Sequence, residues 1–366
     1  MTPGNRSLAA RSRPKAAISV LALLAACAPA REPATAVELD GYEPARAELL
    51  RAAGWKTDFS RTSVPLDALR ASDLARDAFV PIAAPRFAPA AEVELDPAEP
   101  VLVHRVTGGP GGAGGVRGWP LAHLLRRELA RDSVDGAPVA VTLCSLCASA
   151  RAFDLRLDGE VLDLAVSALL LDGNALLYDR RTESLWRQRD GEAVAGAHAG
   201  RRLRALPTFT VSFGALRAAH PEAAVMLAPE RSREPPIARL SADDVARGVP
   251  PTWLRTACAD PLALVLSLDS GAGDALVLRD ARTSAPHRAG GGGPGPALGS
   301  EAAFRTEVGG RALTFDLSTQ SAGARDRETG SRWNVLGEAV AGPLRGTWLA
   351  PLPQVQGFRF ALGAAR

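Results

Sequence analysis

Asp179-Arg180-Arg181-Thr182-Glu183-Ser184-Leu185-Trp186 recurs later in the chain as Asp326-Arg327-Glu328-Thr329-Gly330-Ser331-Arg332-Trp333, 147 positions on. Matches continue on both sides. Phe153, Gly159, Leu162 and Ser167 recur as Phe304, Gly310, Leu313 and Ser318 at an offset of 151. Gly191-Glu192-Ala193-Val194-Ala195-Gly196 recurs as Gly337-Glu338-Ala339-Val340-Ala341-Gly342 at 146, and Gly200, Leu203, Leu206 and Pro207 match Gly346, Leu349, Leu352 and Pro353. A near-constant offset over so many positions marks a duplicated unit, here spanning roughly residues 100–226 and 260–366. Short apolar runs with turn residues between them make that unit β-rich.

Working outward, Pro138 to Leu143 reads as a strand. Phe153–Leu157 and Val161–Val166 flank Asp158-Gly159, a hairpin turn signal. Pro120 to Arg131 places Leu121, Leu124, Leu125 and Leu129 on one helical face and gives the clearest helix signal. Val211 to Ala219 predicts a second, short helix stopped at His220-Pro221. The expected fold class is α+β and β-rich, with two related repeats of one β-rich unit and few short helices. Gly108 to Gly115 reads as a loop, since no Lys-Ser/Thr pair follows it to complete a phosphate cradle.

The N-terminus reads as a targeting signal. Arg6, Arg11, Arg13 and Lys15 precede an apolar run, Ala16 to Ala26, too short to cross a bilayer. It ends in Leu24-Ala25-Ala26-Cys27, which resembles a lipobox and makes Cys27 the expected lipidation site. The expected division is a signal peptide over 1–26, a proline-bearing spacer over 27–45, a first unit over 46–226, a linker over 227–259 and a degenerate second unit over 260–366. The expected location is extracytoplasmic, with the membrane reached through the lipid. Without the first 26 residues the chain carries 39 basic and 40 acidic side chains, so no nucleic-acid partner is expected.

Duplication also sorts candidates. Residues present in both copies serve the fold: Trp186 and Trp333 are expected to be packing residues, with the acid and hydroxyl bonding turn amides. Residues found in one copy are better site candidates. Cys144-x-x-Cys147 aligns with Gly295 and Leu298, and Gln188 with Val335. Two thiols at this spacing can exchange with other thiols, hold a soft metal such as copper(I), or close a structural disulfide. A structural zinc site needs four ligands, and no second pair is visible. Tyr178, Asp179, Trp186 and Gln188, near Asn174, combine aromatic, amide and acid groups suited to a sugar or peptide. Ser167, Ser184 and His198 supply the types of a hydrolytic triad, but no nucleophile elbow supports it. His104 and His123 read as structural, His220 as a helix-end residue, and Cys258 as buried and free.

Residues from about 56 to 226 resemble the bacterial and archaeal family of unknown function called DUF3179. The resemblance rests on Thr57-Asp58-Phe59-Ser60, Ser63-Val64-Pro65-Leu66, Pro81-Ile82, Pro85-Arg86-Phe87 and Trp119-Pro120-Leu121. It continues through Pro138 to Thr142, Cys144-Ser145-Leu146-Cys147, Tyr178-Asp179-Arg180, Ser184 to Gln188 and Gly191-Glu192-Ala193. It implies an extracytoplasmic protein and supplies no activity. Similar sequences usually read His-Glu-x-x-Asn-Asp where this chain has Arg127-Glu128-Leu129-Ala130-Arg131-Asp132. Glu128 is thus a candidate ligand-binding residue, but the histidine is missing. The functional expectation is a cell-envelope lipoprotein with an accessory thiol-redox or soft-metal role at Cys144 and Cys147. The alternative is a non-catalytic ligand-binding or scaffold lipoprotein in which the disulfide is structural.

Overall fold

A computed structural model describes residues 44–72, 74–108, 114–125, 127–229, 264–268, 275–279, 301–317 and 323–362. The expected signal segment, Cys27, Cys258, most of the expected linker and the Gly/Pro stretch holding Gly295 and Leu298 lie outside the described residues.

Helix α1 (Pro44–Ala52) comes first, then short strands β1 (Leu69–Ala71) and β2 (Phe87–Pro89). Strands β3 (Pro100–Val106) and β4 (Gly115–Pro120) pair antiparallel and lead into one helical turn, α2 (Leu121–Leu124). Strands β5 (Leu129–Val134), β6 (Ala137–Cys144) and β7 (Ser149–Asp154) form a meander. A tight hairpin, β8 (Arg156–Leu157) and β9 (Glu160–Val161), follows. A second meander runs β10 (Leu164–Leu171), β11 (Asn174–Asp179), β12 (Leu185–Arg187) and β13 (Ala193–Ala195). Strand β14 (Thr208–Ser212), helix α3 (Phe213–Ala219) and β15 (Ala224–Met226) complete this region.

Beyond the linker come β16 (Leu264–Leu268), β17 (Ala275–Arg279), β18 (Glu301–Arg305), β19 (Glu307–Val308), β20 (Arg311–Ala312) and β21 (Phe315–Leu317). Then follow β22 (Gly323–Asp326), β23 (Arg332–Asn334), β24 (Ala339–Ala341), β25 (Gln354–Phe358) and a final turn, α4 (Arg359–Leu362). The protein is therefore β-rich, with several sheets and short helices. The larger sheets run β1-β10-β11-β12-β13 and β14-β3-β4-β15-β2, and β21-β22-β23-β24 forms another. No described helix is long and apolar enough to cross a membrane.

Strand β10, Leu-Ala-Val-Ser-Ala-Leu-Leu-Leu, is buried at every position, as an apolar run packed on both faces should be. It bulges between Val166 and Leu170, with Ala168 in the left-handed region. Ser167 holds the bulge: its Oγ donates to Leu176 O at 2.6 Å and accepts from Leu169 N at 3.0 Å.

The expected helix over Pro120–Arg131 is corrected. Only Leu121–Leu124 is helical. Glu128 turns the chain at φ 53° and Leu129 enters β5, where Leu129 pairs with Thr142 and Ala130 also bridges Ile82. Tertiary pairing on both sides outweighs a local periodicity that fits either element. The second expected helix forms over Phe213–Ala219, capped by Ser212 Oγ accepting from Ala215 N, while Val211 stays in β14. The hairpin at Asp158-Gly159 forms as read, both residues having positive φ.

Stretches 153–206 and 304–352 share local geometry. Trp186 Nε1 donates to Asp179 Oδ2 at 3.2 Å, and Trp333 Nε1 to Asp326 Oδ2 at 2.9 Å. Thr182 and Thr329 each close the same turn on that aspartate and touch Ser184 and Ser331 at 2.7 Å. Phe153 bridges Ala205 as Phe304 bridges Pro351, and Glu192 bridges Arg202 as Glu338 bridges Trp348. A Cβ on Gly191 would meet the Phe153 ring at 2.7 Å, and one on Gly337 the Phe304 ring at 2.6 Å. Phe304 and Trp333 also share a core with Phe209, Val211 and Phe213, so both strand regions build one interior.

Candidate functional site

Cys144 is the last residue of β6, and a four-residue turn, Ser145 to Ala148, carries Cys147 and returns the chain to β7. Their sulfurs are joined in a disulfide, with Cα atoms 5.4 Å apart. Both cysteines lie at a strand end, as expected, but both are 0% exposed. Thiol exchange and metal uptake, two of the roles expected from the sequence, both need sulfurs within reach of a pocket or the surface, and these are enclosed. The reason lies at the far end of the chain. Phe358 N donates to Cys147 O at 2.7 Å, and β25 packs beside β7, so the last strand covers the turn. That approach is close enough to require a glycine: a Cβ on Gly357 would stand 2.9 Å from Cys147 O and 3.0 Å from Ser149 Cβ.

A buried polar network holds the turn from its other side. Asn174 Nδ2 donates to Cys147 Sγ at 3.2 Å and to Gln188 Oε1 at 3.2 Å. Gln188 Oε1 also accepts from Ser149 Oγ at 2.9 Å, while its Nε2 donates to Thr142 Oγ1 and Ser149 O, each at 3.1 Å. Both polar ends of the Gln188 amide are thus satisfied in the interior. Asn174 Oδ1 accepts from Arg189 N at 3.0 Å, and Arg189 Nη1 donates to Ala361 O at 3.0 Å. The network therefore joins β6, β7 and β11 to the C-terminal α4. Burial beside Arg187 lowers the Arg189 pKa from its usual value. Burial works against the Asp190 charge too, but Arg187 and Arg189 hold its carboxyl below the usual carboxylate range.

The other sequence candidates are also interior. Glu128 is 1% exposed, and its Oε1 accepts from Ser145 Oγ at 2.5 Å, which places it beside the cysteine turn. Tyr178, Asp179 and Trp186 are each 0% exposed. Asp179 is spent on its own turn and on the indole. Tyr178 Oη donates to Asp77 at 2.8 Å and its ring packs edge-on against Trp55. The Arg76 guanidinium lies 4.5 Å from both of those ring centroids and pairs with Glu183 at 2.7 Å. The triad types do not assemble: Ser184 Oγ accepts the His198 backbone N–H at 3.1 Å, not a ring nitrogen, and Ser167 bonds Leu176 O. The sequence named Gln188, Glu128 and the cysteines as separate candidates, and the structure brings them to one neighbourhood. It missed Thr142, Ser149 and Arg189, whose types carry no signal until the strands are paired.

Residues 76–365 match the family described as proteins of unknown function, DUF3179. The chain belongs to the DUF3179 family. The match begins at Arg76 in the cation-π stack and runs through the second strand region past β25, so it includes the disulfide turn together with the strand that covers it. No significant match to a curated protein or to a solved structure was found.

Chemically, thiol exchange needs a thiolate to approach a disulfide sulfur along the S–S axis. Sulfurs enclosed by β25 and the Asn174–Gln188 network present no such approach. Among the described residues no group of three or more His, Cys, Asp or Glu side chains could hold a metal ion. The geometry is that of a clamp: disulfide, amide network and C-terminal strand fix the ends of β6, β7, β11 and β25 against one another.

Proposed function

We infer that this DUF3179 protein is a non-catalytic binding or scaffold body, held at the cell envelope through a lipid on Cys27 and stapled internally by the Cys144–Cys147 disulfide. The single observation that carries this reading is the enclosure of both sulfurs beneath β25. An oxidising compartment is where such a bond persists, which agrees with the charged and apolar N-terminal segment. The body is built from two copies of one β-rich unit. Constant offsets in sequence and the matched Asp–Trp, Thr–Ser and Phe–Gly contacts support that. The first copy alone carries the disulfide, and the second contributes the strand that closes over it.

Thiol chemistry separates this reading from a redox or metal role. In the full chain, the pair is expected to resist reduction by millimolar-range thiol in the folded state and to become titratable only after denaturation. Replacing Cys144 and Cys147 together by Ala is expected to lower stability by up to ~2 kcal/mol, the chain-entropy value for so short a loop. Fast reduction of the folded protein, or uptake of copper(I) by the reduced pair with an unchanged melting temperature, would make the thiol-redox or metal reading the better one.

The tether has its own test. Cys27→Ser is expected to abolish lipid attachment and move the body from the detergent phase to the aqueous phase, or to leave the precursor unprocessed. Unchanged detergent partitioning of that variant contradicts the anchor.

A further inference from the structure

A cavity among the described residues lies away from the disulfide. It has a volume of about 440 Å³ and opens between the first strand region and the loop that follows β24. That size falls within the range of small-molecule sites, roughly 300–1,000 Å³. Its floor is apolar, with Val139, Leu206, Phe209 and Leu349. Its rim is cationic. Arg156 and Arg204 line it, both anchored on the buried Asp154 carboxylate at 2.7 and 2.5 Å. One carboxylate bridged by two guanidiniums leaves most of their N–H donors unused. Arg105, also at the rim, lies over the Trp348 ring at 5.1 Å and has no acidic partner among the described residues. The remaining lining acid, Asp135, is already engaged, accepting from Thr107 N and from Gly108 N at 2.8 Å.

His104 adds an oriented acceptor. Its Nδ1 lies 3.1 Å from Pro207 O. A carbonyl oxygen only accepts, so Nδ1 carries the proton and Nε2 of the neutral ring holds a lone pair. Burial pushes the pKa of this ring down, which keeps it neutral near pH 7.

We propose that this cavity binds a small organic anion: one carboxylate or phosphate held by Arg105 and Arg204, on an aromatic or aliphatic body that packs on Phe209, Leu349 and Trp348. A ligand hydroxyl or amide N–H next to the anionic group would donate to His104 Nε2. Paired N–H donors facing carboxylate or phosphate give the charge-assisted bonds that select an anion, and the apolar floor rejects a bare inorganic ion. The proposal deepens the binding-body reading and rests on it. The two fail separately: reactive thiols would overturn the parent reading whatever binds here, while an empty cavity in the titration below would leave the staple and tether intact.

Isothermal titration of the full chain with phenyl phosphate, phenylacetate, 2-phenylethanol and inorganic phosphate tests it. Saturable one-to-one binding is expected for phenyl phosphate or phenylacetate, tighter than about 1 mM. The tighter of the two identifies the anionic group. Arg105→Ala and Arg204→Ala are each expected to weaken that binding about tenfold. Both side chains are exposed, and although Arg204→Ala takes one partner from the buried Asp154, Arg156 still serves that carboxylate. Arg181→Ala, on the exposed Glu160 pair, should leave binding unchanged. Absence of saturable binding by both aromatic anions overturns the proposal. So does equal affinity for 2-phenylethanol or inorganic phosphate, or unaltered affinity in both arginine variants.

Discussion

Trp186→Ala is expected to cost roughly 3–5 kcal/mol of folding stability, the range for truncating a buried aromatic in a packed core. Its ring is fully enclosed with Phe153, Leu164, Ala193 and Leu203, and its Nε1 is tied to Asp179. Removal opens a cavity and takes one bond from a buried carboxylate, although Thr182 Oγ1 still serves that oxygen at 2.7 Å. Trp333→Ala should cost a similar amount, since its ring is also buried and its Nε1 also meets an aspartate turn. Denaturant titrations of both variants measure this. A loss below about 1 kcal/mol at either site would place that indole outside the load of the core, and unequal losses would weaken the duplication reading.

The second large effect is at Gln188. Gln188→Val imports the residue that stands at the aligned position 335, where Val335 is buried in an apolar setting. The exchange should still destabilise by about 3 kcal/mol or more. Four hydrogen bonds end on this amide, and Ser149 Oγ, Ser149 O, Thr142 Oγ1 and Asn174 Nδ2 would each lose a partner. Each unsatisfied buried group costs about 1–3 kcal/mol, though some of these atoms keep a second partner. Thr142 Oγ1, for example, still donates to Arg151 O at 2.9 Å. The same variant should speed reduction of the disulfide, because Asn174 would lose its anchor beside Cys147. Near-neutral stability would mean that the network does not hold the turn.

These two sites also mark how far the sequence was legible. The Trp-bearing turns could be read from their recurrence, because Asp, Thr, Ser and Trp at fixed spacing describe a closed local circuit. The Asp158-Gly159 hairpin was legible for the same reason: its geometry is local. The stretch from Leu121 to Arg131 was not. Its leucines fit a helical face, yet Leu125 remains 40% exposed and Leu129 is claimed by strand pairing with Thr142 on one side and by the Ile82 N–H on the other. Local periodicity holds no information about those partners. The cysteine turn was recognised as a strand end, while its cover was not, since nothing near Cys147 announces that Gly357 and Phe358 lie on it. Gln188 stood out because Val335 stands at the aligned position of the similar later stretch. Its role as the hub of a buried network became clear only once β6, β7 and β11 lay side by side.

The C-terminal cover sets an order of events during biogenesis. Residues 354–358 come later in the chain than the cysteine turn, and in the folded protein they lie over it with both sulfurs enclosed. The bond between Cys144 and Cys147 is therefore expected to form before that strand docks, and rapid closure of the bond in folded, reduced protein would contradict this order. A chain shortened before Gln354 is likewise expected to leave the bond open to reduction.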